Sequence, residues 1–116
     1  RICMSCIASM KPPKETENLV KMGLKTLKSK EKPPHVFFAG RGCNSCSFSG
    51  YRGQIGIFEI LYVTDATRDL IMKNAPSNVI RDTARHEGMR LMFEDGLIKV
   101  EQGLTTIEEV LRVTRE

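Results

Sequence analysis

Residues 41–56 read RGCNSCSFSGYRGQIG and contain one Cys-x-x-Cys pair, Cys43 and Cys46, followed by closely spaced glycines. A second pair, Cys3 and Cys6, stands at the start of the chain, and the two pairs account for all four cysteines. Two such turns offer four sulfur ligands, the donor set of tetrahedral structural zinc sites, in which each Zn–S bond is about 2.3 Å long. We therefore predict that these four cysteines bind one structural zinc ion.

Other uses of the cysteines stay open at this point. Two disulfides are possible, but the sequence shows no signal peptide, and cytosolic thiols stay reduced. A thioredoxin-like redox pair needs a following helix, whereas Cys46 runs into Ser-Phe-Ser-Gly, a loop sequence. An iron tetrathiolate would use the same four ligands. His35 and His86 have no ligand spacing to either pair, and His86 is expected near a helix C-terminus.

The composition is that of a small soluble domain. The chain has 116 residues, of which 41% are hydrophobic and 28% charged, and no apolar run approaches the roughly 20 residues of a membrane span. Because Arg1 lies just before a ligand motif, we expect a longer protein. Residues 1–58 carry a charge of +7 and residues 59–116 a charge of −3. Seven lysines between Lys11 and Lys32 favour a solvated helix face over a surface for an anionic partner.

The first half of the chain is expected to combine a helix with short strands. Apolar residues at near-helical spacing predict a helix between Thr16 and Lys30, which Gly23 is expected to weaken or divide. Val36–Phe38 is expected to be a strand, and Gln54–Leu61 a second strand that pairs with it. Residues 1–63 are therefore predicted to be a tetracysteine zinc-binding subdomain with a short β-hairpin.

The second half is expected to be helical. Residues 64–116 are predicted to be a compact bundle of about four short helices, which makes the fold α+β and mostly α. The signals that delimit these helices are a cap at Asp65, a cap at Ser77 with a stop at Gly88, a helix from Met89 to Val100 that ends near Gly103, and a capping box from Thr105 to Glu108.

No catalytic motif is found in the sequence. It contains no Gly-x-x-x-x-Gly-Lys-Ser/Thr phosphate-binding loop. Glu94 and Asp95 are neighbours on a predicted helix and point about 100° apart, so we interpret them as a solvated face and not as a carboxylate dyad. The chain by itself is therefore not expected to be an enzyme.

The ordered motifs resemble the tetracysteine region of the type II secretion and type IV pilus assembly ATPases. They cover essentially the whole chain and run in this order: Cys3-x-x-Cys6; Cys43-x-x-Cys46-x-x-x-Gly50-Tyr51-Arg52-Gly53-x-Ile55-Gly56-Ile57-x-Glu59; Glu87-Gly88-Met89-Arg90; Asp95-Gly96-Leu97-x-Lys99-Val100; Gly103-x-Thr105-Thr106-x-Glu108-Glu109-Val110. One departure is Gln54, where the family usually has a basic residue.

The resemblance implies the C-terminal module of a hexameric motor that powers pilin or pseudopilin filament assembly. In the family a RecA-like core of the same chain precedes this region and binds ATP and Mg²⁺, and zinc binds the four cysteines. The implied partners are that core, neighbouring subunits of the hexamer and an inner-membrane platform protein, with no nucleic acid. The implied location is cytoplasmic and peripheral to the inner membrane. Pilus-retraction relatives usually lack the cysteines, so the resemblance implies an assembly motor.

Two other classes of function remain as alternatives. A free-standing zinc-ribbon-like nucleic-acid-binding module would explain the pI near 9.0 and the lysines, and a redox or disulfide protein would explain the cysteines. The sequence does not separate secretion from pilus assembly.

Overall fold

The computed structural model describes residues 1–114 and shows an α+β, mostly helical chain, as predicted. Its elements, in chain order, are β1 (Ile7–Met10), α1 (Lys14–Thr26), β2 (Phe37–Gly40), α2 (Asp65–Met72), α3 (Ser77–His86), α4 (Met92–Glu101) and α5 (Ile107–Thr114). A single 3-10 turn, Asn44–Cys46, forms the second cysteine turn.

The two strands are not the pair that the sequence predicted. β1 pairs antiparallel with β2, with Ile7 opposite Gly40 and Met10 opposite Phe37, and the stretch from 54 to 61 forms no strand in the described chain. The predicted hairpin partner of Val36–Phe38 was therefore wrong. The physical reason is that β1, which follows the first cysteine turn, is the partner of β2, because α1 returns the chain so that β2 lies antiparallel beside β1.

Helix α1 is continuous through Gly23, so the expected break does not occur. A Cβ placed on Gly23 would lie 3.0 Å from ring atoms of Phe93. The absent side chain thus lets the ring of Phe93 approach the helix backbone, and this packing offsets the low helix propensity of glycine.

For α3 and α4 the C-termini agree with the sequence better than the N-termini, whereas α1 begins two residues before and ends four residues before the predicted bounds. Gly88 and Gly103 have positive φ angles of 105° and 75° and end α3 and α4, as predicted. The predicted caps were each misplaced by one residue. Thr64, not Asp65, accepts the backbone N–H of Thr67 at the start of α2.

The same one-residue shift occurs at two further helix starts. Ser77 is the first residue of α3 and Pro76 occupies the cap position without a side-chain hydrogen bond. At α5 it is Thr106 that accepts the N–H of Glu109, at 3.2 Å. Helix α4 begins three residues later than the expected Met89. Asp, Ser and Thr side chains cap helices in similar ways, so runs of them leave the exact cap position undecided in the sequence.

The chain divides into two compact units. The first, here called the metal-core unit, comprises Arg1–Ile57 and the described residues from Met92 onward; the second, the α2–α3 unit, comprises Phe58–Leu91. The predicted division into residues 1–63 and 64–116 stays a prediction. None of the described helices has the length and apolar character needed to cross a membrane.

The hydrophobic core of the metal-core unit is built from α1, β2, α4 and α5. Its members are buried aliphatic and aromatic side chains: Val20, Leu24, Phe37, Phe93, Leu97, Val100, Ile107 and Val110. Helix α4 packs closely on α5 because Gly96 has no side chain; a Cβ there would lie 2.6 Å from Cγ1 of Val110. This core supports the sheet that carries the cysteine turns.

The α2–α3 unit has fewer buried side chains. Thr67 and Ala84 are its buried helical residues, and a short polar network links the two helices. The hydroxyl of Thr64 donates to Oε1 of Glu87 at 2.9 Å and lies 2.7 Å from the hydroxyl of Thr67. Ile71 of α2 is 46% exposed.

Candidate metal centre

The four cysteines of the two Cys-x-x-Cys pairs converge on one point. Their sulfur atoms all lie within 4.8 Å of one another. The measured separations are 3.8 Å from Cys3 to Cys43, 3.9 Å from Cys6 to Cys46, and 3.8 Å from Cys43 to Cys46. A regular tetrahedron with metal–sulfur bonds of about 2.3 Å has edges of about 3.8 Å. The arrangement therefore has the size of a tetrahedral metal site, and all four thiols are free.

The strand register is what brings the distant pairs together. β1 begins at Ile7, directly after Cys6, and β2 ends at Gly40, three residues before Cys43. Because Ile7 lies opposite Gly40, both cysteine turns emerge from the same end of the sheet. The backbone N–H of Arg41 continues the pairing by donating to the carbonyl of Cys6 at 3.0 Å. The 36-residue gap is thus closed by the path β1–α1–β2.

Backbone N–H groups point at two of the sulfur atoms. Cys46 Sγ accepts from the N–H of Cys43 at 3.3 Å and from that of Gly50 at 3.2 Å, and Cys6 Sγ accepts from the N–H of Gly42 at 3.3 Å. Such donors stabilise thiolates and orient metal ligands, and they are the shell that typically surrounds metal-bound sulfur. The donor set and its surroundings therefore fit a divalent metal ion.

Two of the thiols have shifted pKa values. Burial opposes ionisation of Cys46, but the N–H groups of Cys43 and Gly50 and the neighbouring thiols of Cys43 and Cys6 lower its pKa to about 6. Burial raises the pKa of Cys6 to about 11, against the opposing effect of the Gly42 N–H. Of these two thiols, Cys46 is thus the readier to ionise, and metal binding must displace the proton of Cys6.

A close approach of two backbones fixes the second turn against the sheet. A Cβ on Gly40 would lie 2.1 Å from the carbonyl oxygen of Gly50, and Gly50 itself has a φ angle of +82°. The carbonyl of Gly50 also accepts the N–H of Cys3, at 2.9 Å. Only glycine fits at both positions, which explains why the sequence places glycines on either side of Cys43 and Cys46.

The first cysteine turn is held by buried contacts. Ile2 is fully buried, and its backbone N–H donates to the carbonyl of Leu104 at 2.9 Å. Ile2 also forms an isolated antiparallel bridge with Tyr51, whose hydroxyl lies 2.9 Å from the hydroxyl of Thr106. The start of the chain is therefore tied both to the segment after Cys46 and to the residues before α5.

The acidic pair Glu94 and Asp95 is not the solvated face that we predicted. Glu94 is only 5% exposed and accepts a hydrogen bond from the hydroxyl of Ser29. Asp95 pairs with Lys99 at 2.7 Å, and the Lys99 ammonium also donates to the carbonyl of Gly56 at 2.6 Å. The two carboxylates thus serve separate contacts and form no dyad. The partner of Glu94 is distant in sequence, whereas that of Asp95 lies one turn along the same helix.

Neither histidine belongs to the cysteine cluster. Among the described residues, the group that contains Cys3 is made of the four cysteines alone, and His35 and His86 are both exposed. His86 is the last residue of α3, as expected. The sequence analysis missed the backbone N–H donors Gly42 and Gly50. Their positions close to Cys43 and Cys46 in the sequence could have indicated this role.

Fold and site together define a small α+β domain organised around a tetracysteine cluster. A family model described as "Type II/IV secretion system protein" matches residues 1–112. The chain belongs to this family.

Its relatives come from both branches of the family. The chain is 39% identical over 116 residues to "Type IV pilus assembly ATPase PilB" of Thermus thermophilus, covering 100% of the chain and 12% of that protein. It is 38% identical over 115 residues to "Type II secretion system ATPase E" of Vibrio cholerae, covering 99% and 21%. The Pseudomonas aeruginosa PilB is 33% identical over 119 residues, covering 100% and 19%. The chain thus spans about a fifth or less of these relatives.

Proposed function

We propose that the chain is the zinc-stabilised C-terminal module of a hexameric ATPase that powers pilin or pseudopilin filament assembly at the inner membrane. In this proposal, Cys3, Cys6, Cys43 and Cys46 bind one zinc ion whose role is structural. ATP and Mg²⁺ bind in a RecA-like core of the same chain. Neighbouring subunits and an inner-membrane platform protein are the further partners, and the protein is cytoplasmic and peripheral to that membrane.

The observation that carries the proposal is the four-sulfur cluster at the end of the β1–β2 sheet. Its sulfur separations of 3.8 to 3.9 Å suit tetrahedral coordination, and the site offers no ligand position to a substrate because all four donors come from the protein. A closed site of this kind supports a structural role. The similarity to secretion and pilus assembly ATPases along nearly the whole chain supports the proposal that this structural site belongs to such an ATPase.

The first test is the metal content of the purified chain. We expect one zinc ion per chain by elemental analysis, and four titratable thiols after the metal is released by acid or a strong chelator. Stoichiometric iron in place of zinc would overturn the choice of metal. Fewer than four free thiols after release would show disulfides and would remove the structural zinc site from the proposal.

The second test concerns the motor. The coding sequence upstream of Arg1 is expected to contain a Walker A loop and an acidic Walker B strand within the preceding ~200–250 residues, about one or two domains. ATP hydrolysis by the corresponding longer protein should then fall when Cys43→Ser is introduced, whereas Ser45→Ala should leave it unchanged. An upstream region without a phosphate-binding loop would overturn the motor assignment and leave a small zinc protein.

A further inference from the structure

A short antiparallel ladder, here called the N-terminal ladder, begins at the cysteine cluster. Its first bond runs from the N–H of Cys3 to the carbonyl of Gly50, at 2.9 Å. The next runs from the N–H of Arg52 to the carbonyl of Arg1, also at 2.9 Å. The N–H of Gly50 donates in turn to Sγ of Cys46 at 3.2 Å. The first bond of the ladder therefore joins the two Cys-x-x-Cys pairs, and the later bonds lead away from the sulfur atoms.

The N-terminal ladder contains a bulge at Gly53. The backbone nitrogen of Arg1 donates to the carbonyl of Gly53 at 3.2 Å, so that Arg52 and Gly53 both bond to Arg1. Two residues opposite one form a β-bulge, and the φ angle of +77° at Gly53 is a conformation that glycine adopts readily. Because a bulge shifts the pairing by one residue, a strand that continued before Arg1 would place its next residue opposite Gln54.

Beyond the bulge, residues 54–57 form no strand within the described chain. Ile55 and Ile57 are half-buried and the other two residues are exposed, an alternation typical of a strand with one covered face. The carbonyl of Gly56 accepts from the ammonium of Lys99 at 2.6 Å. Since the backbone groups of successive strand residues point to opposite edges, those of Ile55 and Ile57 are expected at the other edge. Within residues 1–114 their N–H groups have no hydrogen-bond acceptor.

A groove of about 640 Å³ runs beside this segment and is here called the α5 groove. Arg1 and residues 53–57 line it together with apolar and charged residues of α5: Glu109, Val110, Arg112 and Val113. Its volume is within the range of sites that enclose a ligand, and Val113 is 43% exposed. Because Arg1 itself lines the groove, residues that precede Arg1 in a longer protein begin at this groove.

We propose that the N-terminal ladder continues past Arg1, and that the residues directly before Arg1 in the longer protein pair antiparallel with residues 54–57 and fill the α5 groove. The inference rests on the proposed function for the existence of that upstream region, and the chain spans about a fifth or less of its relatives. In this arrangement the metal site clamps one end of a strand pair that leads to the rest of the protein. Loss of the metal then loosens the pairing.

The first test is amide hydrogen exchange by NMR, followed in the zinc-loaded chain and in the zinc-loaded longer protein. Pairing should slow exchange at Ile55 and Ile57 by about 10-fold or more in the longer protein, because their N–H groups gain acceptors and open only with the strand pair. The N–H of Gly56 points to the opposite edge and is the matched control, which should change less. Equal rates at Ile55 in the two proteins would overturn the proposal.

Disulfide formation tests the register of the pairing. A cysteine substituted for the residue directly before Arg1 should cross-link with Gln54→Cys in the zinc-loaded longer protein, because facing residues of antiparallel strands have Cα atoms about 4.5–5.5 Å apart, within disulfide reach. Lys14→Cys is the control, since Lys14 lies beyond the end of β1 that is remote from the cysteine turns. Equal yields with the two partners, read by peptide mapping, would contradict the pairing.

Metal removal tests the clamp. A strong chelator should abolish most of the slowing at Ile55 and lower the yield of the cross-link, whereas Ser45→Ala with its metal retained should leave both unchanged. Slowing that survives complete loss of zinc would overturn the clamp. The motor is tested separately. An upstream phosphate-binding loop with unchanged exchange at Ile55 would overturn only the strand pairing, and slowed exchange without such a loop would overturn only the motor.

Discussion

The metal-core unit and the α2–α3 unit are organised by different interactions. The metal-core unit combines a continuous hydrophobic core from four elements with a four-sulfur cluster. In the α2–α3 unit, the buried residues are Thr67, Ala84 and Leu91, whereas Phe58, Ile60 and Tyr62 are 58%, 56% and 76% exposed. The larger unit thus combines a hydrophobic core with a cluster that could hold a metal ion. The smaller one has few buried side chains, one side-chain cap at the start of α2 and a short polar network.

This difference predicts where substitutions should change the free energy of unfolding most. Burial of apolar area and metal binding supply most of the free energy that offsets the loss of chain entropy on folding. A unit with little of either should open locally at a lower free energy than the rest of the chain. Substitutions of equal size should therefore have unequal effects in the two units.

The largest effect is expected from loss of a metal ligand. Cys43→Ser should lower metal affinity by more than about 100-fold, the upper range for residues that only support a ligand. The free energy of unfolding of the metal-core unit should fall by several kcal/mol, because metal binding energy is folding energy in such sites. Denaturant titration with and without zinc measures this. Ser45→Ala, in the same turn, is the control; equal stability of the two variants would contradict a structural metal.

The next largest effect concerns the hydrophobic core. Leu97 is 3% exposed in α4, and Leu97→Ala should cost about 2–5 kcal/mol through lost burial and the cavity left behind. Ile60→Ala in the α2–α3 unit removes a similar side chain that is 56% exposed and should change stability by about 0.5 kcal/mol or less. Urea unfolding of both variants makes the comparison. Similar losses would show that Ile60 is not an exposed side chain in solution.

A smaller effect is expected at the start of α2. Thr64→Ala removes the side chain that accepts the N–H of Thr67 at 3.3 Å and should cost about 0.5–2 kcal/mol. Amide hydrogen exchange should show the loss mainly in the α2–α3 unit, since it has few other buried contacts. Ser77→Ala is the matched control, because no side-chain cap bond forms at the start of α3. Faster exchange spread evenly over α4 and α5 would argue against two units of different stability.

The smallest expected effect is electrostatic. On α5, hydrogen bonding and charge from Arg112 hold the pKa of Glu109 below its usual range. A lowered folded-state pKa stabilises the protein above the unfolded pKa, about 4.3, and this contribution disappears as the pH falls through the folded pKa. Arg112→Gln should therefore raise the pKa of Glu109. It should reduce stability fully above a pH of about 4.3, progressively less as the pH falls towards the folded pKa, and not below it. Carboxyl NMR titration measures the shift; an unchanged pKa would exclude the pair as its cause.

Local signals allowed much of the helical structure to be predicted from the sequence. The stops at Gly88 and Gly103 depend on a left-handed backbone that glycine adopts readily, so they could be read from the chain alone. The predicted caps of α2, α3 and α5 were each one residue off, and the start of α4 was three residues off. The strand β1 was missed because Ile7-Ala8-Ser9-Met10 shows no alternation of polarity, and four residues carry too little periodicity.

The sequence by itself predicted the four cysteines as a candidate ligand set and determined the helical class of the chain, since ligand spacing and turn chemistry act over three or four residues. Only the tertiary structure decided that β1 pairs with β2, that Glu94 is buried against Ser29, and that both cysteine turns lie at one end of the sheet. Those facts depend on contacts between residues 27 or more positions apart. Such contacts follow from how the whole core packs, and a local pattern does not specify them.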